Sequence, residues 1–205
     1  MSTDEHRDQN QFEELIQGMI DNNYAYCDDF ISPSTVQGLR DNLKYLNKLG
    51  ELKASGLGNK EIVQINKKIR GDKIHWIDNA SINPSEIIYL NKINKFVEHL
   101  NNTCFTAINS FESHYSTYEK KKFYKRHLDQ FKSEKGRQFS IILYLNEDWK
   151  DTDEGALSLY PKNSAQKNIT PSGGRLVFFR SDEMEHEVQP SNTRERRSIA
   201  GWLKR

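Results

Sequence analysis

The chain has 205 residues, enough for one substantial domain and short for two. Thirty Lys and Arg against 29 Asp and Glu leave a formal charge of +1, so no overall pull toward nucleic acid or an anionic membrane is expected. No stretch approaches the roughly 18 consecutive apolar residues of a transmembrane helix, and the polar start, Met1 to His6, lacks the apolar run of a secretory signal. Cys27 and Cys104 stand in no metal-ligand spacing and suggest no disulfide framework. The expectation is a cytoplasmic monomer with neither nucleic-acid nor membrane partners.

The first ten residues read as frayed. Phe12, Leu15, Ile16, Met19 and Ile20 then recur at helical spacing. Tyr24 to Phe30 is aromatic-rich and alternating, which suits a strand. Ser32-Pro33-Ser34 is a helix start, and Val36, Leu39, Leu43, Tyr45 and Leu46 carry that helix to Gly50. Residues 51–66, with Gly56 and Gly58, read as a loop. Asn83-Pro84-Ser85 opens a further helix whose Ile87, Ile88, Leu90, Ile93, Phe96, Val97 and Leu100 face inward.

Beyond Cys104 the pattern changes to short strands: Phe105–Tyr115, Tyr124–Asp129, Phe139–Leu145, Ala156–Tyr160, Arg175–Phe179, His186–Gln189 and Arg197–Leu203. Gly173-Gly174 and Gln189-Pro190-Ser191-Asn192 punctuate them. Helices followed by short strands argue for an α+β fold, a sandwich or jelly roll supported by N-terminal helices, in a single domain. Lys120-Lys121-Lys122 reads as a solvated turn.

His127-Leu128-Asp129, followed by His186 and then Arg196, is the pattern that carries chemistry. Two imidazoles and a carboxylate form the facial triad that holds non-haem Fe(II) with coordination positions left open. In a strand, residues two apart share a face, so His127 and Asp129 would point together. Arg196 lies ten positions after His186, and its guanidinium could pair with the distal carboxylate of 2-oxoglutarate, with Ser198 on the same face. Bland readings stand beside these. A His-x-Asp triplet arises readily by chance, and His186 between Glu185 and Glu187 could be a surface histidine. Arg194, Arg196 and Arg197 could be an ordinary basic surface.

Several stretches, in order, resemble the prolyl 4-hydroxylases of the HIF prolyl hydroxylase-like group of 2-oxoglutarate oxygenases, including its bacterial members. They are Ile69-Arg70-Gly71-Asp72-Lys73-Ile74-His75-Trp76, Phe123 to Asp129, Ile142 to Trp149, Gly155-Ala156-Leu157, Phe178 to Asp182, and His186-Glu187-Val188-Gln189-Pro190. The resemblance spans Tyr24 to the C-terminus and implies a distorted double-stranded β-helix. It implies iron ligation by His127, Asp129 and His186. Arg196, six residues before Trp202, and Tyr144 would hold the co-substrate's distal carboxylate. Tyr118, Tyr124, Ile142, Leu157, Val188 and Trp202 would line the pocket. Arg70, Asp72, Trp76 and Arg137 belong to the substrate loop, with Asp72 paired to Arg137 as a latch and residues 50–76 as a lid.

By the same resemblance the cofactors are Fe(II), 2-oxoglutarate and O₂, with ascorbate as reductant. The substrate is an accessible proline in a flexible loop of another protein, such as elongation factor Tu, hydroxylated at C4 with succinate and CO₂ as co-products. Two departures stand out: Lys120-Lys121-Lys122 replaces the glycine usual between the paired tyrosines, and Glu154 replaces the first of the usual glycine pair. Without further domains the chain resembles a bare catalytic domain of the bacterial type. The competing expectations are a hydroxylase of free amino acids or other small molecules, and a non-catalytic jelly-roll module with structural histidines. A nucleic-acid demethylase would need a more basic face and a second arginine at a set spacing.

Overall fold

The computed structural model describes residues 3–56, 69–130 and 136–205. Residues 57–68, the middle of the expected lid, lie outside the described residues.

The first helix, α1 (Thr3–Asn22), begins well before the periodic apolar run, so the expected fraying of the first ten residues is corrected from Thr3 onward. Side chains ahead of the apolar run hold it: Asp8 pairs with Lys92 at 2.7 Å and Arg7 donates to the Asp29 carbonyl at 3.0 Å. Strand β1 (Tyr24–Cys27) is shorter than expected, because Asp29 turns the chain with a positive φ of 51°. Helix α2 (Pro33–Lys48) starts where its sequence signal lies: Ser32 Oγ accepts from the Thr35 N–H at 3.3 Å and Pro33 occupies the first turn, where no N–H is needed. Strands β2 (Lys53–Ala54) and β3 (Asp72–Trp76) follow. Helix α3 (Pro84–Cys104) is capped by Asn83 Oδ1, which accepts from Ser85 and Glu86 N–H groups. It ends at Phe105, left-handed with φ 54° and largely exposed, so the expected strand from Phe105 begins later, as β4 (Ser110–Tyr118).

The remaining strands are β5 (Tyr124–His127), β6 (Arg137–Tyr144), β7 (Leu157–Tyr160), β8 (Lys167–Ile169), β9 (Leu176–Arg180), β10 (Glu185–Val188) and β11 (Arg196–Lys204). They form two antiparallel sheets, one in the order β1-β9-β6-β11-β4-β3-β2 and a smaller one in the order β5-β10-β7-β8. This is the expected jelly roll with supporting helices.

Period-two alternation sorts the layers. Ile141 and Leu143 of β6 and Ile199 and Leu203 of β11 pack with Phe12, Leu39, Ile93 and Phe96 of the helices. Their neighbours Ile142 and Tyr144 face the other way, joining Leu157, Leu159, Val177 and Val188 between the sheets. Each large apolar side chain so buried contributes roughly 2 kcal/mol. On β11 the sandwich face carries Arg196, Ser198, Ala200 and Trp202, so one strand delivers a charged group, a hydroxyl and an indole to the interior. Gly201 keeps this strand close to β4: a Cβ there would meet the Glu112 carbonyl at 2.7 Å. The helix faces are narrower than the sequence pattern suggests, since Ile20, Tyr45 and Ile88 are half or more exposed.

Candidate active site

His127 on β5 stands directly opposite His186 on β10 in the sheet register, with ring centroids 4.2 Å apart. Strand β5 ends at His127, yet the chain brings Asp129 back to the same point. His127 Nε2 lies 3.4 Å from one Asp129 carboxylate oxygen, and His186 Nε2 lies 3.6 Å from the other. One ligand atom from each residue falls within 4.8 Å of the others. His186 is only 4% exposed, which rules out the surface-histidine reading.

The surroundings fix which atoms converge. His127 Nδ1 lies 2.7 Å from the Lys125 carbonyl and His186 Nδ1 lies 3.1 Å from the Met184 carbonyl, each two residues back. Each Nδ1 therefore donates to its carbonyl, which turns both Nε2 atoms inward toward Asp129. Ser140 Oγ donates to Asp129 at 2.7 Å. Burial and the neighbouring His127 push the His186 pKa down to about 4, so it is neutral near pH 7. Burial opposes the Asp129 charge, but the two histidines and Ser140 hold its carboxyl far below the usual range. A neutral His186 imidazole, an ionised carboxylate and the His127 ring beside them suit a divalent first-row metal, which binds deprotonated ligands.

A second group lies deeper. Arg196 is 2% exposed, and among the described residues no carboxylate lies within ion-pair distance of it. Its Nε donates to the Gly155 carbonyl at 3.0 Å and its Nη2 to the Tyr144 hydroxyl at 3.3 Å. The guanidinium sits over the Tyr144 and Tyr118 rings, 4.9 and 5.4 Å from their centroids. Burial raises the pKa of both tyrosines, so both stay protonated donors. A buried cation without an anion is costly, and this one is furnished with donors around it. Such a pocket accommodates a carboxylate.

At the other wing the Arg70 guanidinium grips Asp72 through two bonds of 2.7 and 2.9 Å. Asp72 also accepts from Ser55 Oγ and, at 2.8 Å, from Ser116 Oγ, and its pKa falls to about 2 although burial opposes this. The Arg70 guanidinium lies 4.7 Å from the Tyr124 ring centroid.

A sequence profile of the 2OG-Fe(II) oxygenase superfamily matches residues 113–204, the span holding the triad and Arg196. The crystal structure of a Pseudomonas putida prolyl-4-hydroxylase is 30% identical, covers 95% of this chain and 100% of its own, and superposes with a TM-score of 0.88. The chain belongs to the prolyl hydroxylase family of 2OG-Fe(II) oxygenases. A prolyl hydroxylase from Trichoplax adhaerens, in complex with a hypoxia-inducible factor oxygen degradation domain peptide fragment, is 25% identical. It covers all of this chain and 94% of its own with a TM-score of 0.89. Human Egl nine homolog 1 is 30% identical over 183 residues, which are 83% of this chain and 42% of the human protein. The chain thus spans about half the length of the curated relatives it matches.

Most of the expected site residues of this prolyl hydroxylase relative meet in one pocket, lined by the triad together with Arg70, Tyr118, Tyr124, Ile142, Val188, Arg196, Ser198 and Trp202. Tyr144 reaches it through its bond to Arg196. Leu157 instead packs in the apolar cluster between the sheets. Trp76 stands 46% exposed, with its ring 6.2 Å from that of Trp202.

The expected Asp72–Arg137 latch is corrected. Asp72 is level with Tyr118 and hence with Arg196, whereas Arg137 is level with Lys204. From Arg196 to Lys204 is the whole of β11, about 26 Å at the usual rise. Arg137 donates to Glu112 at 3.1 Å and to the Asp129 carbonyl at 3.3 Å, and its guanidinium lies 3.5 Å from the Trp202 ring centroid.

The sequence reading missed His114. It is 1% exposed and lines the pocket, with Nδ1 3.1 Å from the Ala200 carbonyl and Nε2 3.5 Å from Arg70 Nη2. Burial and the Arg70 charge lower its pKa to about 4, so it is a neutral imidazole with Nε2 as acceptor. A lone histidine without a spacing partner gives no sequence signal of this kind. Ser140 was likewise hidden within an apolar strand run.

Proposed function

We propose that the chain is an Fe(II)- and 2-oxoglutarate-dependent dioxygenase that hydroxylates C4 of a prolyl residue in a protein substrate. The observation that carries this reading is the pairing, in one pocket, of a metal-suited triad with a buried arginine that has no anionic partner among the described residues. His127 Nε2, the Asp129 carboxylate and His186 Nε2 would hold the iron. Iron with O₂ and 2-oxoglutarate supplies the oxidising power that replaces C–H by C–OH, with succinate and CO₂ leaving.

The protein's own residues bind and orient. Arg196 receives the distal carboxylate of 2-oxoglutarate, with the Tyr144 hydroxyl beside it. Tyr118 and Ser198 line the same recess, and Ile142 and Val188 keep it dry. Ser140 holds one Asp129 oxygen, and the two backbone carbonyls hold the histidine rings. Arg70, Tyr124, Trp76 and Trp202 form the side that meets the peptide. In the same reading ascorbate keeps the iron reduced and the chain works as a cytoplasmic monomer. A translation factor such as elongation factor Tu offers the kind of exposed prolyl loop required. No described helix is long and apolar enough to cross a membrane.

Mass spectrometry of lysate proteins incubated with enzyme, Fe(II) and 2-oxoglutarate tests this reading. One oxygen atom gained on a proline is the expected result. Succinate release without any hydroxylated protein would sink the protein-substrate reading.

A further inference from the structure

Ser181 is completely buried just past the end of β9, and its hydroxyl lies 2.8 Å from that of Ser140, itself 1% exposed. Both serines stand in apolar strand runs, Ser140 between Phe139 and Ile141 and Ser181 shortly after Phe178-Phe179. A hydroxyl there is costly to bury unless it is bonded, and alanine would fill nearly the same space. Neither serine lines the active pocket, so neither is placed to touch substrate or co-substrate.

The donors available set the direction of the bonds. A serine hydroxyl has one proton and two lone pairs, whereas an ionised carboxylate only accepts. Ser140 gives its proton to Asp129 Oδ2 at 2.7 Å, so the bond between the two hydroxyls must be donated by Ser181. The chain runs one way, from Ser181 to Ser140 to Asp129, and each bond in such a chain polarises the next.

The main chain of Ser181 fixes where that chain begins. Its N–H donates to the Gln138 carbonyl on β6, and its carbonyl accepts from the N–H of Gln130, the residue after Asp129, both at 3.1 Å. The same turn leads to another member of the triad. The Met184 N–H closes it on the Arg180 carbonyl, and the Met184 carbonyl accepts from His186 Nδ1. Ser181 thus joins β6, the segment that returns Asp129 after β5 has ended, and the approach to His186.

We infer that Ser181 is a positioning residue of the metal site, whose hydroxyl holds the Asp129 carboxylate in its ligating orientation through Ser140. This rests on the metal reading above and extends it to a residue that never meets the metal.

Cobalt(II), which suits the same nitrogen and oxygen donors as iron, reads the site without turnover. Absorbance titration of the whole chain gives an affinity, and the visible bands report the ligand geometry. Ser140→Ala should weaken Co(II) binding by roughly ten-fold or more, as the loss of a group that holds a metal ligand does. Ser181→Ala leaves the main-chain bonds in place; it should weaken binding by about five-fold and shift the visible bands, with far-UV circular dichroism unchanged. Because Ser181 acts through Ser140, the double variant should bind no more weakly than Ser140→Ala alone. Unchanged affinity and bands in Ser181→Ala would overturn the inference, as would losses that add in the double variant. Absence of Co(II) binding by the unmodified protein would instead overturn the metal reading, and the inference with it.

Discussion

Tyr124 stacks on His127, with ring centroids 3.6 Å apart and planes 17° from parallel. Above Tyr124 lies Arg70, itself gripped by Asp72, so the loop-bearing edge of the large sheet leans on a proposed metal ligand. The Arg70 and Asp72 side chains are 13% and 0% exposed. Removing one partner leaves the other charge buried. Asp72→Ala should cost about 3–5 kcal/mol in urea unfolding. In a double-mutant cycle Asp72 should couple to Arg70 and not to Arg137, because Asp72 and Arg137 stand at opposite ends of β11's partners.

That correction marks how far the sequence reaches. The triad was legible because a His-x-Asp pair at a strand end places both side chains together and a later histidine has a matching strand to sit on. Arg196 was legible from its place six residues before Trp202. Pairings between motifs were not, because adjacency in a family pattern carries no register. Helices α2 and α3 announced themselves by Ser32 and Asn83, whose side chains must satisfy free N–H groups. Strands β3 and β8 stayed invisible: one lies within a resemblance motif read only for its loop residues, and the other has three residues, too few to show a period.

Metal removal gives the second prediction. A chelator should abolish 2-oxoglutarate turnover, and added Fe(II) should restore it. His127→Ala and Asp129→Ala should not recover with added iron, while their far-UV circular dichroism stays native-like. Calorimetric titration with Fe(II) separates lost binding from lost chemistry. Retained, iron-dependent succinate release in either variant would contradict the assigned ligands.

Stability should fall in mildly acidic solution. His114 is buried neutral with its pKa lowered from 6.5 to about 4, so below pH 6.5 the unfolded chain takes up a proton that the folded chain refuses. Its contribution is therefore fully present above about 6.5 and lost as pH falls toward 4, about 3 kcal/mol in all. His186 titrates in the same direction in the metal-free protein. Comparing His114→Gln with the unmodified chain isolates the first term: the variant's denaturant midpoint should change less between pH 7 and pH 4. An unchanged slope would mean that His114 is already charged in the fold.

The co-substrate clamp gives the sharpest test of geometry. Arg196 is held by the Gly155 carbonyl through Nε and by Tyr144 through Nη2, which leaves the rest of its planar fork for a carboxylate. Lysine keeps the charge but loses that fork, so Arg196→Lys should raise KM for 2-oxoglutarate by ten-fold or more, on the order of one charge-assisted hydrogen bond. Tyr144→Phe removes one neutral donor and should raise it by about five-fold. In both variants iron affinity should hold, since neither residue touches the triad. Fe(II) titration alongside the KM measurements decides the matter: a parallel loss of iron binding would show that these residues support the ligands rather than the diacid.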